Sequence, residues 1–565
     1  MAGTRGTRRF SCVVLAVYTA LAVLITLPVW LAPASILGGT GTDPHQMRWF
    51  LGWMPYALTH GQNPFITSHL NAPQGANLLW NTAVPLAGLV LWPVTTVWNA
   101  TVSYNVLVTA SMAAGAWCAF LFIRRQVHHA WAAAVGGLLF GFSPMMIGGA
   151  RDHAQVVASA ICIPLIALCL DEALVRQRWA WWLAGLCLGI AAVAQFFVFE
   201  EYFATAVLVG ALLVVVVAAV GRAELRRRAR HALRAVGVAA AVAVALLAFP
   251  LWLQLRGPDV VHGAIHPTTV YVTDAVNFLV PTQTMLVAPS ALQQVSSRFP
   301  GNLSEQMAYL GIPLIIVLVA ATVWLRRNRA VQAAAAMALL VAIASLGPRL
   351  VVDGTNTGIP LPWIVPEHLP LLDNVLPSRL MMYVFLAAGL LLALLLDALW
   401  LRRCRWWEPA YAAAFALALL LPRAPLTHES APAASGLSDG AVATVSPGAT
   451  VYAIPFPGPH ELDAMDLQLD SGYRFKLVGG YFLGPPAPGQ DALAAVATAL
   501  SSNAPPEALE SSTSVAMRVE LSAAGVDDVM LTRVPNQGAA IALLSGVFGQ
   551  PAAEDDGVYF WPVAR

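Results

Sequence analysis

The sequence predicts a polytopic α-helical membrane protein with a small α/β domain at its carboxyl end, and three observations carry that prediction. Of 565 residues, 58% are hydrophobic and 11% charged, with a mean hydropathy of +0.67, whereas soluble chains carry about 25% charged residues. Apolar runs near the roughly 20 residues a membrane helix needs recur along the first 422 positions. Beyond them the composition turns to Pro, Ala and Ser and then to alternating strand and helix patterns.

About eleven runs qualify as spans: 11–32, 102–123, 130–149, 154–174, 179–199, 202–221, 235–255, 308–325, 330–347, 380–401 and 406–422. The first follows "MAGTRGTRRF" and resembles a signal peptide, but Ala20 to Trp30 continues too far and meets Pro28 rather than a small-residue cleavage site, so it is an uncleaved span. Val84 to Trp98 holds prolines at 85 and 93 and reads as an interfacial helix. The arginines test this choice. With the amino terminus inside, the short inner pieces hold Arg5, Arg8, Arg9, Arg124, Arg125, Arg176, Arg178, those of "GRAELRRRARHALR", "RRNR" at 326–329 and "RRCR" at 402–405, which is 19 of the 31 basic residues. Promoting 84–98 to a span would export these arginines, against the positive-inside rule.

The predicted organisation is therefore a transmembrane domain at 1–422 with outer segments 33–101, 256–307 and 348–379, a linker at 423–448, and an extracytoplasmic α/β domain at 449–565. The tail reads as strand "ATVYAIPFP", helix "DALAAVATALSS", a helix near Ser512 to Ala524, strand "DDVMLTRV", helix "GAAIALLSGVF" and strand "GVYFWPV". A formal net charge of +1 gives no sign of nucleic-acid binding, and a single lysine, Lys476, in an Arg- and Ala-rich chain points to a high-GC bacterial genome. The cysteines at 12, 118, 162, 169, 187 and 404 lie in or beside apolar runs, which argues against disulfides and a zinc site. No internal repeat, glycine-rich phosphate loop or helical zinc motif is present.

Function is then sought on the outer face. Asp43 opens the first outer segment in "DPHQMRWFLGWMPYALTHGQNPF", beside His45, Arg48 and the aromatics Trp49, Phe50 and Trp53. Alone, such an acid is more readily a solvated loop residue than a functional one. In this company it sits at the start of an amphipathic helix on the membrane surface. Glu200 and Glu201 in "AQFFVFEEYFATA" mark a tight turn at the membrane boundary, and either merely supply polarity there or hold and release a proton. Arg151, Asp152 and His153 in "GGARDHAQ" open the outer end of the span at 154, and Arg349 and Arg379 lie in the third outer segment; these arginines run against the positive-inside trend and are either orientation accidents or partners for an anion such as a lipid phosphate. His262, His266, Tyr271, Asp274 and Glu305 rank behind these.

The order of inner terminus, first span, outer loop opening with an acid, interfacial helix and a second span ending in "CAFLFIRR" resembles the GT-C superfamily of integral-membrane glycosyltransferases, among them the protein O-mannosyltransferases and the aminoarabinose and arabinofuranosyltransferases. "RDH", "NLSEQMAYLGIPL" and "LPSRLMMYVFLAAG" look like uncharacterised actinobacterial members with a carboxyl-terminal outer domain. The resemblance covers Val13 to Pro422 and the segment "MDLQLDSGYRFKLVGGYFLGP". It implies an inverting transfer of a sugar from a polyprenyl-phosphate donor to a glycan, lipid or protein acceptor of the envelope, outside the plasma membrane. It also implies that Asp43 is the general base, with Glu200 or Glu201 supplying any second carboxylate, His45, Arg48 and His153 near the substrate, and Arg151 or Arg379 as the cation for the departing phosphate. Many members carry two neighbouring acids in this loop, whereas here Pro44 and His45 follow Asp43. Some bind a divalent cation, and Asp43 with His45 is too thin a ligand set to assign one. A flippase of lipid-linked sugar and a non-catalytic envelope-assembly protein are the competing classes; neither needs a base.

Overall fold

The computed structural model describes residues 2–369, 372–402, 407–431, 441–486, 490–502, 511–551, 553–555 and 557–563. Cys404, Arg403 and Arg405 of "RRCR", Trp406 at the start of the last expected span, and linker residues 432–440 lie outside the described residues. The chain is mostly helical and divides into two compact units. One comprises Met1–Ala32, Asn105–Ala248 and Gly263–His428, the other Pro33–Tyr104, Phe249–His262 and Glu429–Arg565.

Among the described residues six helices are long and apolar enough to cross a membrane: Ala100–Arg124, Ala154–Arg176, Trp181–Val198, Glu200–Glu224, Arg226–Arg256 and Pro377–Leu401. The expected span at 130–149 is instead a pair, Ala130–Gly141 and Pro144–Asp152, bent by 43°. The reason is local: Ser143 is extended and caps the second helix through Met146 N, and Pro144 follows at the first helical position, where its missing N–H costs nothing. The first span likewise breaks at Thr26, ahead of Pro28. The expected spans at 308–325 and 330–347 are helices of 13 and 17 residues, Ile312–Trp324 and Arg329–Ser345, and the last expected span contains the 12-residue Trp407–Ala418. Arg226 to Arg234 continue a helix rather than a loop, and the chain turns at Gly221, the one residue of Glu200–Arg256 with non-helical torsions.

The first unit is organised around Met381–Leu401, apolar on every side and buried along most of its length, as a helix surrounded by protein must be. Its closest neighbour is Ala130–Gly141. A Cβ on Gly136 would lie 2.5 Å from the Gly389 carbonyl oxygen, and one on Gly389 the same distance from that of Gly136, so both positions require glycine. Small residues of this kind let two membrane helices touch backbone to backbone.

The second unit contains a sheet formed by β1 (Thr450–Ile454), β2 (Lys476–Leu477), β3 (Asp528–Leu531), β4 (Ala553–Asp555) and β5 (Val558–Pro562), in the order β4-β5-β3-β1-β2. β1 pairs parallel with β2 and β3, while β5 pairs antiparallel with β3 and β4. Strand alternation divides the side chains into two cores. Tyr452, Ile454, Val529, Leu531 and Trp561 meet the tail helices Gln490–Leu500, Ser511–Ala523 and Gln537–Phe548. Val451, Ala453, Met530 and Phe560 belong to the other core, together with Met465, Leu467 and Tyr473 and with Trp49, Phe50, Trp53 and Ala57 of helix Thr42–Thr59. The sequence places the helix that carries these aromatics on the membrane surface. The aromatics are at most 1% exposed, packed within this core with the Trp49 and Trp53 rings edge-on to Tyr473 at 5.2 and 5.5 Å.

Gly389→Leu should force the two helices apart and lower the unfolding midpoint in detergent by the equivalent of about 1–3 kcal/mol or more. Gly237→Leu, where an added Cβ meets nothing within 4 Å, should leave it unchanged.

Candidate active site

Asp43 lies in the first turn of helix Thr42–Thr59, where a carboxylate is favoured by the helix dipole. The helix begins at Gly41, whose φ of 90° suits glycine, and Pro44 is tolerated in the first turn. Asp43 is half-buried, and its Oδ1 accepts a hydrogen bond from the Tyr481 hydroxyl at 2.9 Å. Gln46 Nε2 donates to the Tyr481 carbonyl at 2.8 Å, fixing the strap that carries this tyrosine.

His45 and Arg48, one turn apart, face helix Asp463–Asp470. His45 Nδ1 lies 2.5 Å from Asp466 Oδ2 and its Nε2 lies 3.0 Å from Glu429 Oε1. Arg48, 2% exposed, donates from Nη1 to Asp466 Oδ1 at 2.9 Å and from Nη2 to Asp470 Oδ1 at 3.0 Å. Burial alone would push the imidazole down, but hydrogen bonds to Asp466 and Glu429 and the Asp466 charge raise it to about 9. Asp470 is pushed up to about 6 by burial, against the pull of Arg48 and with Asp466 adding to the rise. Trp49 Nε1 donates to Gln468 at 2.8 Å and the Tyr473 hydroxyl to the Trp49 carbonyl at 2.7 Å. A Cβ at Gly52 would meet the Tyr473 hydroxyl at 2.7 Å, so the helix approaches this surface closely. His45 and Arg48 were read as substrate contacts; here their polar atoms hold the helix against the tail.

In the other unit Arg379 gathers two carboxylates. Its Nη1 lies 2.5 Å from Glu201 Oε2, and Nη2 and Nε lie 2.6 and 2.9 Å from Glu305 Oε1. The Leu376 N–H donates to Glu201 Oε1 at 3.0 Å and the Ser378 hydroxyl to Glu305 Oε2 at 3.1 Å. The Tyr202 hydroxyl donates to the Arg379 carbonyl at 2.9 Å, and the guanidinium lies 5.2 Å from the Phe199 ring centre. His153 Nδ1 is 3.8 Å from Glu305 Oε1, and the neighbouring Asp152 accepts from the Ser304 hydroxyl. Burial pushes Glu305 up, yet Arg379 and His153 more than offset it and hold the carboxyl below its usual range.

Glu201, Arg379 and His153 thus come together, while Glu200 begins the same helix without joining them. Arg151, at the end of Pro144–Asp152, presents a buried Nε with no hydrogen-bond partner among the described residues. Glu305 ranked low in the sequence and is the centre of this cluster. Asp466, Asp470 and Glu429 were not singled out at all. The spacing of Asp466 and Asp470 in "DAMDLQLD" puts them on one helix face, matching the His45 and Arg48 spacing, and that was the available signal.

Two outcomes follow. His45 is raised in the folded state, so its contribution, about 3 kcal/mol, is complete below pH 6.5 and lost as pH rises through about 9. The unfolding midpoint should fall over that window, and His45→Gln should flatten the fall. Arg379→Gln strands two buried carboxylates and should cost about 3–5 kcal/mol; a midpoint unchanged by it would contradict the paired geometry.

The comparisons agree on the fold. The mycobacterial arabinofuranosyltransferase AftD superposes with a TM-score of 0.56 at 14% identity, over 99% of this chain and 40% of its own. The apo oligosaccharyltransferase of Archaeoglobus fulgidus superposes with 0.52 at 12%, over 92% of this chain and 69% of its own. The chain spans about two fifths of the length of the arabinofuranosyltransferase it matches. Both are membrane glycosyltransferases of the GT-C type, and at these identities it is their fold that this multi-pass membrane protein shares. No curated protein sequence matches it. One family profile does, over residues 13–421, and the chain belongs to that family, a domain of unknown function designated DUF6311.

Proposed function

We propose that this protein is a membrane glycosyltransferase that moves a sugar from a polyprenyl-phosphate donor to an acceptor of the bacterial envelope, with inversion. The observation that carries the reading is the likeness, over 92–99% of this chain, to two solved enzymes that transfer sugars. In this reading the amino terminus is cytoplasmic and the tail extracytoplasmic. The six long helices, the bent pair and the shorter Arg9–Ile25, Ile312–Trp324, Arg329–Ser345 and Trp407–Ala418 make eleven crossings.

Asp43 is the base. It takes the proton of the acceptor hydroxyl as that oxygen bonds to the anomeric carbon, while the bond from that carbon to the phosphate oxygen breaks and its electron pair leaves with the lipid phosphate. The Tyr481 hydroxyl on Oδ1 orients the carboxylate. Arg151 is the better cation for the phosphate, since Arg379 is committed to Glu201 and Glu305. A divalent cation does not fit the residues beside Asp43. Both ring nitrogens of His45 lie on carboxylates, and among the described residues no group of three or more His, Cys, Asp or Glu side chains has a metal-binding arrangement.

A flippase is the second reading, favoured by the 43° break ahead of Arg151, because interrupted helices line transport paths. Protein in liposomes, given radiolabelled polyprenyl-phosphate sugars, decides between them. Release of polyprenyl phosphate should fall about 10²–10⁴-fold in Asp43→Asn with an unchanged unfolding midpoint. Asn at 43 retaining full turnover would remove the base assignment, and movement of labelled lipid across the bilayer without release would favour the flippase.

A further inference from the structure

A cavity of about 540 Å³ lies within the first unit, against helices Ala154–Arg176, Glu200–Glu224, Arg329–Ser345 and Pro377–Leu401. None of the residues placed in the proposed chemistry lines it. On helix Glu200–Glu224 its wall runs from Ala206 to Glu224 through Val209, Leu213 and Val217, and on the other helices it is mostly Ala, Leu, Ile and Met. At a 1.5 Å rise per residue that wall is about 27 Å long, so the cavity is elongated along the helix. A long slot with apolar walls suits an alkyl chain laid along it.

The two ends differ in chemistry. Near Ala206 stands Tyr383, whose hydroxyl is bonded to that of Thr205 at 2.9 Å. The other end is charged. Glu224 is already paired with Arg227 and Arg228, and Asp171 with Arg176. Arg329 is exposed there, has no carboxylate partner among the described residues, and lays its guanidinium over the turn at Gly221, with Nη1 3.6 Å from where a Cβ would stand. The rim is thus an apolar slot beneath an uncompensated cation. Helix Glu200–Glu224 is only 11% buried along its apolar stretch, so the slot's outer wall faces the lipid phase.

We propose that this slot binds one acyl chain of an anionic phospholipid, with the lipid phosphate on Arg329. The site lies at the basic side of the membrane unit, its occupant is not a reactant, and it stands whether or not the transferase reading does. Arginine binds phosphate by two parallel N–H donors, which gives the site a preference for anionic over zwitterionic headgroups.

The test is native mass spectrometry of the delipidated full chain, titrated with dioleoyl-phosphatidylglycerol or dioleoyl-phosphatidylcholine. Wild type should take up one phosphatidylglycerol with about tenfold preference over phosphatidylcholine. Arg329→Gln should lose the preference while keeping weak binding of both. Ala387→Trp, which fills the slot from Pro377–Leu401, should lose the bound lipid, and Ala333→Phe does so from the facing helix if the first variant does not fold. Equal binding of the two lipids by wild type, a preference that survives Arg329→Gln, or binding that survives a filled slot would each overturn the proposal. So would displacement of phosphatidylglycerol by equimolar undecaprenyl phosphate, which would mark the slot as a prenyl-chain site.

Discussion

A charge that leaves water must find partners, and in the first unit that requirement falls on Arg379. Its guanidinium joins the start of helix Glu200–Glu224, through Glu201, to the loop that carries Glu305, and holds both to the entry of the buried helix Pro377–Leu401. Each carboxylate takes a second donor, the Leu376 amide or the Ser378 hydroxyl, so the pairs are also hydrogen-bonded. That combination is what makes buried ion pairs tolerable. The cluster therefore sets where three elements meet.

The second unit solves a different problem with the same means. Helix Thr42–Thr59 shares a core with one face of a sheet built from residues 450–562, and its aromatics supply part of the apolar area. Apolar contact is non-directional and does not fix the rotation of a helix about its axis. The fork of Arg48 on Asp466 and Asp470, and His45 between Asp466 and Glu429, supply that direction. Asp43 inherits its position from this docking. A carboxylate held on the first turn of a pinned helix is better defined in position than one on a free loop.

Much of this was legible in residue order. The six long helices follow from the length of their apolar runs, and the tail elements at Thr450–Ile454, Gln490–Leu500, Asp528–Leu531 and Val558–Pro562 follow from alternation and turn residues. Glu201 and Arg379 stood out as ions at a membrane boundary. Glu305 did not, because an acid in a polar loop has no local signature and its role depends on which charges fold against it. The same reason hid Asp466 and Asp470, which are more than 400 residues from their partners.

What the sequence determined by itself, then, is the class of molecule and the residues whose charges needed explanation, since these depend on composition and short-range periodicity; of its eleven expected spans, six are long apolar helices among the described residues. Only the tertiary structure decided that Trp49 and Trp53 are buried against Tyr473 and Gln468 of the tail, that Arg379 is committed while Arg329 is not, and that an apolar slot runs along Glu200–Glu224. Those facts depend on which surfaces meet. An amphipathic helix exposes the same apolar stripe to a bilayer or to a β-sheet, and its own residues do not say which will cover it.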